Sequence, residues 1–147
     1  MEEAKTTKVE KKTKKVVTKK IAHGVGRRKC AVARVWLLKG KGDIVVNNRP
    51  FEEYFDTELT RKTAVFPISI CSDTFSGYSI KVNIVGGGQT AQADAVKLGI
   101  SRALVTIDPD LRSVLKEYKL LSVDSRVKER KKYGQRGARR KFQFVKR

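Results

Sequence analysis

The residue types that carry out chemistry in enzymes are sparse and scattered in this chain. His23 is its only histidine, and the two cysteines, Cys30 and Cys71, are well separated. Neither a nucleophile–base pair nor a cluster with metal-ligand spacing can be assembled from them. The carboxylates near predicted turns and short helices suit solvated surface positions better than a catalytic pair: Asp43, Glu52, Glu53, Asp56 and Glu58. The sequence therefore predicts no catalytic residue, no metal site and no cofactor.

One glycine motif resembles a nucleotide-binding turn. The run from Gly86 to Ala91 matches the glycine pattern of dinucleotide-binding folds, between a predicted strand and a predicted helix. Such a fold also needs a second parallel strand that ends in an acid about 20 residues later. Asp108 lies at that distance, but residues 92–107 have an unbroken helical pattern, so we reject nucleotide binding. Two interpretations stay open: a tight turn, or helix-start amides that hold an RNA phosphate.

The strongest chemical signal is a block of cations at the C-terminal end. Residues 126–147 contain six Arg, five Lys and a single acid, and therefore carry a net charge of +10. Tyr133, Phe142 and Phe144 are interleaved with these cations. Arginine grips phosphate with a planar fork and stacks on bases, and this mix is typical of segments that order on RNA. The predicted RNA contacts here are Arg126, Arg130, Lys131, Lys132, Arg136, Arg139, Arg140 and Lys141.

A second basic run, Gly24–Lys29, precedes the first predicted strand. Its glycines let the backbone approach a phosphate closely, and Arg27, Arg28 and Lys29 neutralise it, so these three are further candidate RNA contacts. Residues 1–20 differ in kind, because their eight Lys are mixed with Thr, Val and three Glu. We predict a disordered, solvated extension there.

Length and charge bound the class of protein. The 147 residues allow one ordinary domain with tails, and the formal net charge is +19. Residues 21–125 carry only +4 of it, so a nearly balanced domain over residues 21–124 is flanked by cationic ends. This charge favours a polyanionic partner and disfavours a small-molecule substrate. No apolar run is long enough for a membrane span, and no signal or transit peptide is evident, so we expect a non-membrane, intracellular protein.

Hydrophobic periodicity predicts an α+β fold, a split α/β sandwich with a small mixed sheet and helices on one face. Residues 28–38 and 78–85 alternate as strands, and residues 44–47 are predicted to return from the first strand as a hairpin. Short helices are expected from Pro50 to Tyr54 and over residues 57–64, with Pro67 ending the second. A long helix should follow Gly88 and end at Asp108, whose side chain should cap a last helix with a stripe of Leu111, Val114, Leu115 and Tyr118. An extended basic tail follows.

An ordered series of short motifs resembles one known family. The series begins with Gly26-Arg27-Arg28-Lys29, the Gly40-x-Gly42 turn and Ile44-Val45-Val46-Asn47. It continues with Gly86-Gly87-Gly88, Gly99-Ile100-Ser101-Arg102-Ala103-Leu104, Glu129-Arg130-Lys131-Lys132-Tyr133-Gly134, Ala138-Arg139-Arg140 and the terminal Gln143-Phe144-Val145-Lys146-Arg147. This series is similar to that of the small-subunit ribosomal protein S9 family over residues 21–147. Ala91 and Val145 stand where the family usually has glycine and serine, and residues 135–137 are less basic than usual.

The resemblance implies a fold like domain 2 of ribosomal protein S5, lodged in the head of the small ribosomal subunit. The implied partners are small-subunit ribosomal RNA, peptidyl-site tRNA and neighbouring head proteins. It further implies that the tail threads through the head, so that Lys146 and Arg147 approach the tRNA anticodon stem-loop. It implies a structural role with no reaction, in the cytoplasm of a bacterium or, less expected, in an organelle. The residues alone also leave room for an RNA-processing enzyme or a histone-like DNA compactor, which nuclease and competition-binding assays would distinguish.

Overall fold

A computed structural model describes residues 20–72 and 77–144. Five strands form one mixed sheet in the order β1-β2-β5-β3-β4. The strands are β1 (Lys20–Arg28), β2 (Ala31–Lys39), β3 (Ile44–Val46), β4 (Arg49–Pro50) and β5 (Tyr78–Val85). The helices are α1 (Phe51–Tyr54), α2 (Glu58–Ile70), α3 (Gln89–Ile107) and α4 (Leu111–Glu117).

The helices cover one face of the sheet, and this confirms the predicted α+β class. Alternate residues of β2 and β5 are buried under them, as the period-two patterns predicted: Ala31, Ala33, Val35, Leu37, Ile80, Val82 and Ile84. The long helix α3 packs on β1, β2 and α2 and supplies most of the remaining core. The predicted helix boundaries after Gly88 and before Asp108 are confirmed.

The first strand was not predicted. Residues 20–28 pair antiparallel with β2, through a two-residue turn at Lys29 and Cys30. Lys20 therefore belongs to the sheet, while residues 1–19 lie outside the described residues. The strand is hard to detect because its buried positions are Ala22, Gly24 and Gly26, which carry little apolar signal.

Small residues are required where β1 crosses α3. A Cβ on Gly24 would lie 2.1 Å from the carbonyl oxygen of Gly99, and one on Gly26 would lie 1.8 Å from that of Ala95. Two small residues of α3, Ala95 and Gly99, thus face the glycines of β1. Arg102 fixes the same contact, because its guanidinium donates to the carbonyl of Val25 at 2.8 Å.

Two other predictions about local structure were wrong. The strand at residues 44–46 pairs parallel with β5 instead of returning along β2. Just after this strand, the Asn47 side chain continues the contact with β5. It donates a hydrogen bond to the carbonyl of Ile84 and accepts one from the amide of the same residue. Helix α2 continues through Pro67 to Ile70, because this proline is fully buried in the core and packing outweighs the lost backbone hydrogen bond.

The last helix also differs from its prediction. It begins at Leu111, and Asp108 terminates α3 instead of capping α4 with its side chain. Of the predicted buried stripe only Leu115 is fully buried, whereas Val114 and Tyr118 are exposed. The helix lies at the rim of the domain, where one side chain per turn reaches the core.

We expect Gly26→Ala to destabilise the domain by about 2 kcal/mol or more, since the added methyl group must push α3 away from β1. Chemical denaturation would measure the change in free energy of unfolding. Gly137→Ala is the matched control, because its Cβ would meet nothing closer than 3.6 Å. Equal stability of the two variants would contradict the close packing described for β1 and α3.

Candidate nucleic-acid interface

Two of the predicted basic segments meet at one place: Arg27 and Arg28, at the end of β1, lie beside Arg126, the first cation of the tail. The turn after β1 carries Arg27, Arg28 and Lys29, with Lys29 in the left-handed region at a φ of 51°. Arg27 and Lys29 are exposed, whereas Arg28 is mostly covered, its side chain only 14% accessible. The last segment of the chain passes directly over this turn.

Arg28 holds the start of the C-terminal segment against the domain. Its guanidinium donates to the backbone carbonyls of Asp124 and Arg126, each at 3.0 Å. It also pairs with the Asp124 carboxylate at 3.0 Å and lies 3.8 Å from that of Asp94 on α3. A planar fork of donors can serve several acceptors at once, which a lysine ammonium cannot do in the same geometry. Arg28 therefore has a structural use, and its predicted contact with RNA stays a prediction.

Asp124 closes a tight local turn with Arg126. Its carboxylate accepts the backbone amide of Arg126 at 3.0 Å and binds the Arg126 guanidinium at 2.7 Å. These hydrogen bonds, with the nearby positive charges, hold the pKa of Asp124 well below its usual range. The Arg126 side chain is still 86% exposed. The turn thus orients a cation toward solvent at the point where the tail begins.

A cleft of about 360 Å³ opens between these residues and α3. Its lining contains more cations than acids. The cations are Arg27, Arg28, Lys97, Lys119 and Arg126, and the acids are Asp94 and Asp124.

Part of this charge is compensated within the protein. Lys97 forms an ion pair with Asp94 at 2.9 Å, and Arg28 forms ion pairs with Asp94 and Asp124. Within the described residues, the side chains of Arg27 and Lys119 have no hydrogen-bond or ion-pair partner. Arg27, Lys119 and the exposed Arg126 are therefore available to an anion of the size of a phosphate group.

The tail beyond Arg126 reverses direction instead of running straight. It contains neither helix nor strand as far as residue 144. Glu129, its single acid, accepts from the Arg139 guanidinium at 3.0 Å, and this bond holds the pKa of Glu129 below its ordinary value. The amide of Arg136 donates to the carbonyl of Arg140 at 2.9 Å, and the Arg136 guanidinium lies 5.4 Å from the Phe142 ring.

The remaining tail side chains point into solvent. Tyr133 and Phe144 are 95% and 97% exposed, which is unusual for large aromatic groups in the absence of a partner. The predicted site residues of this segment are all exposed: Arg126, Arg130, Lys131, Lys132, Arg136, Arg139, Arg140 and Lys141. Lys146 and Arg147, the predicted tRNA contacts, lie outside the described residues.

Sequence reasoning missed two cations of the cleft, Lys97 and Lys119. Each stands alone in the sequence, one on α3 and one after α4, so no local cluster marks it.

Of the two interpretations of the Gly86–Ala91 run, the tight turn is observed: Gly86 and Gly87 have φ values of 74° and 72°. The neighbouring Gln89 amide donates to the Asp56 carboxylate at 2.8 Å, so an acid lies beside this helix start. No helix within residues 20–72 and 77–144 is long and apolar enough to cross a membrane.

An α+β domain with a cationic cleft, continued by an exposed tail of arginines and aromatics, has the properties of a nucleic-acid-binding protein. The family model described as ribosomal protein S9/S16 matches residues 26–147. The chain belongs to this family, as the ordered motifs indicated. Curated relatives agree. The chain is 56% identical over 126 residues to the small ribosomal subunit protein uS9 of Solidesulfovibrio magneticus, covering 85% of this chain and 95% of that protein.

Two further relatives carry the same name in other bacteria. The protein of Maridesulfovibrio salexigens is 50% identical over 131 residues, which is 89% of this chain and 100% of the relative. That of Cytophaga hutchinsonii is 47% identical over 127 residues, which is 86% of this chain and 98% of the relative.

We expect Arg28→Lys to loosen the start of the tail while keeping the charge. Loss of one charge-assisted hydrogen bond, about 1.5 kcal/mol, should speed exchange of the Arg126 amide roughly tenfold. Amide exchange followed by NMR would measure it. Arg27→Lys is the control on the same strand and should leave this rate unchanged. Equal protection in both variants would show that Arg28 does not hold the tail.

The Asp124 turn should be sensitive to acid. A carboxyl whose pKa is lowered by folding stabilises the folded arrangement above its ordinary pKa, and that contribution is lost as pH falls through the lowered value. The Arg126 amide resonance should therefore titrate below the ordinary Asp pKa of about 3.9. Asp124→Asn should abolish this titration. A midpoint at the ordinary value would contradict the turn.

Proposed function

We propose that this protein is a structural component of the small ribosomal subunit, binds ribosomal RNA through its cleft and tail, and extends its last residues to peptidyl-site tRNA. The observation that carries the proposal is the attachment of the tail by Arg28, which brings Arg126, the first cation of the tail, beside Arg27 and Arg28 at the end of β1. Family membership supplies the ribosome as the setting, and the relatives are bacterial, so we place the protein in a bacterial cytoplasm.

The cleft suits the backbone of RNA more than a base edge. Arg27 and Lys119 line it without an acidic partner, and Arg126, although paired with Asp124, keeps an exposed guanidinium. Phosphate contacts of this kind fix the position and orientation of a protein on its nucleic acid and carry little sequence information. The cleft would therefore fix the position of the domain on the RNA. The tail would make the contacts with RNA that lies further from the domain.

The tail suits single-stranded or irregular RNA. Its exposed arginines and lysines neutralise phosphates, while Tyr133, Phe142 and Phe144 offer ring faces on which unstacked bases can lie. The Glu129–Arg139 pair and the turn at Arg136 constrain part of this segment before any partner binds. Such ordering lowers the entropy lost on binding.

The tRNA part of the proposal rests on the family resemblance of Lys146 and Arg147 and on the length of the tail. Fully extended, the 23 residues after Asp124 would span at most about 75 Å. The turn at residues 133–139 shortens this reach in the free protein. Reaching a distant tRNA would therefore require the turn to open or the domain to lie closer to the tRNA.

We expect the triple variant Arg130→Gln, Lys131→Gln, Lys132→Gln to weaken binding to small-subunit ribosomal RNA. The plot of log affinity against log salt should become shallower by about 2 to 3, because each lost phosphate contact contributes roughly 0.7 to 0.9. Filter binding over a salt series would measure it. The charge-matched control, Lys41→Gln, Lys62→Gln, Lys116→Gln, removes exposed cations outside the cleft and tail. Identical slopes for the two triple variants would contradict RNA binding by the tail.

We expect deletion of residues 145–147 to spare incorporation into small subunits and to weaken peptidyl-site tRNA binding, increasingly at high salt. Purified subunits carrying the truncated chain would be titrated with tRNA. Val145→Ser, which keeps both terminal cations, is the control. Unchanged tRNA affinity after the deletion would remove the tRNA part and leave the ribosomal-RNA part standing.

A further inference from the structure

The face of the sheet away from the helices is uncovered and carries a tryptophan. Along β1, β2 and β5 the residues that alternate with the buried ones point to this side. His23, Arg34 and Lys81 are exposed there, and Val85 is 74% exposed. Trp36 lies among them, half-buried, in the central part of β2.

The strand register places an aromatic pair and a cation in one row. His23 is opposite Trp36 across β1 and β2, and Trp36 is opposite Lys81 across β2 and β5. The His23 and Trp36 rings are 5.4 Å apart between centroids and tilted by 32°. The Lys20 ammonium lies 5.0 Å from the centre of the Trp36 ring. The result is an indole ring with a tilted imidazole and two cations, Lys20 and Lys81, beside it.

The charge of the sheet has a single sign. None of the five strands, as the structure describes them, contains an aspartate or a glutamate. They do contain seven cations: Lys20, Arg27, Arg28, Arg34, Lys39, Arg49 and Lys81. Arg28 is paired with Asp94 and Asp124 on the helical side, whereas Lys20, Arg34 and Lys81 lie on the open face. The open face therefore attracts a polyanion, and its centre is apolar enough to hold a ring.

We propose that this open face binds a single-stranded segment of RNA, with an unpaired base stacked beside His23 on Trp36 and the flanking phosphates at Arg34 and Lys81. The inference rests on the proposed function in taking RNA as the partner, and it adds a second contact on the side of the sheet opposite the helices. Stacking on aromatic side chains with nearby cations is how proteins hold unpaired bases without reading base pairs.

Lys20 does not prevent this stacking. A lysine over an exposed ring is weakly held, and its flexible stem lets the ammonium move to a phosphate when a base arrives. The His23 ring packs against Trp36 at a tilt of 32° and helps to hold the indole in place for a base. Val32 and Val85 are opposite each other two rows further along the same face, beyond Arg34 and Asn83.

Trp36 is the only tryptophan of the chain, and its fluorescence therefore reports on this face alone. The full chain would be titrated with single-stranded oligoadenylate RNA of about ten nucleotides, within the usual site sizes for such surfaces. Inorganic polyphosphate of matched charge is the parallel probe, because it offers phosphates without bases. We expect quenching by the RNA and little by the polyphosphate. Absent quenching at saturating RNA, or equal quenching by both probes, would overturn the proposal.

Variants test the same point without fluorescence. Trp36→Ala should weaken oligoadenylate binding about tenfold, and Trp36→Phe, which keeps a ring, should largely restore it. Leu59→Ala, which removes a side chain that is 72% exposed on α2, on the helical side of the sheet, should leave affinity unchanged. Thermal melting would confirm that each variant is folded, and the Phe variant keeps the test valid if the Ala variant is not.

The outcomes separate this inference from the proposed function. If the triple variant of the tail weakens RNA binding while Trp36→Ala does not, the open face is not an RNA surface and the proposed function stands. If the wild-type chain fails to bind ribosomal RNA or oligoadenylate at all, both fail. Loss of a neighbouring ribosomal protein from assembled subunits in Trp36→Ala, with unchanged RNA binding, would assign the face to a protein partner and overturn the inference.

Discussion

The Arg28 guanidinium connects three parts of the molecule that are remote in sequence. It stands at the end of β1, beside the Asp94 carboxylate of α3, and it binds the backbone of the chain at Asp124 and Arg126. Each group alone would be a partly buried charge or an unpaired carbonyl, and together they satisfy one another. The direction in which the tail leaves the domain follows from this contact. The position of the cleft also follows from this contact, because Arg28, Asp94, Asp124 and Arg126 all line the cleft.

The distribution of charge follows a simple division. The core is a nearly balanced domain in which acids lie on helices and turns, whereas the strands and the tail hold cations without nearby acids to neutralise them, except at Asp94, Asp124 and Glu129. These three carboxylates shape the protein: each one orients an arginine or lysine of the interface. Repulsion among the remaining cations disfavours the compact state until a polyanion neutralises them. The same cations that form the proposed RNA interface therefore lower the stability of the free domain.

The sequence predicted the parts of the fold that depend on local pattern and missed those that depend on packing. Apolar alternation and helical spacing identified β2, β5 and α3. The edge strand β1 escaped because Gly24 and Gly26 have no side chain to show a period, yet contact with α3 requires them to be small. Helix α2 passes Pro67 because burial outweighs local preference. In the candidate site, the runs of basic residues could be recognised from the sequence. Lys97 and Lys119 could not, because only the tertiary fold brings these isolated lysines to the cleft.

The central claim is that the hairpin turn and the start of the tail form one surface on the RNA. Exposed Cys30 offers a natural attachment point for a hydroxyl-radical-generating iron chelate, while Cys71 is buried. A second probe at Val127→Cys, in a Cys30→Ser background, would mark the tail. In reconstituted small subunits, the two probes should cleave overlapping stretches of ribosomal RNA. Two separate, non-overlapping sets of cleavage sites would contradict the account.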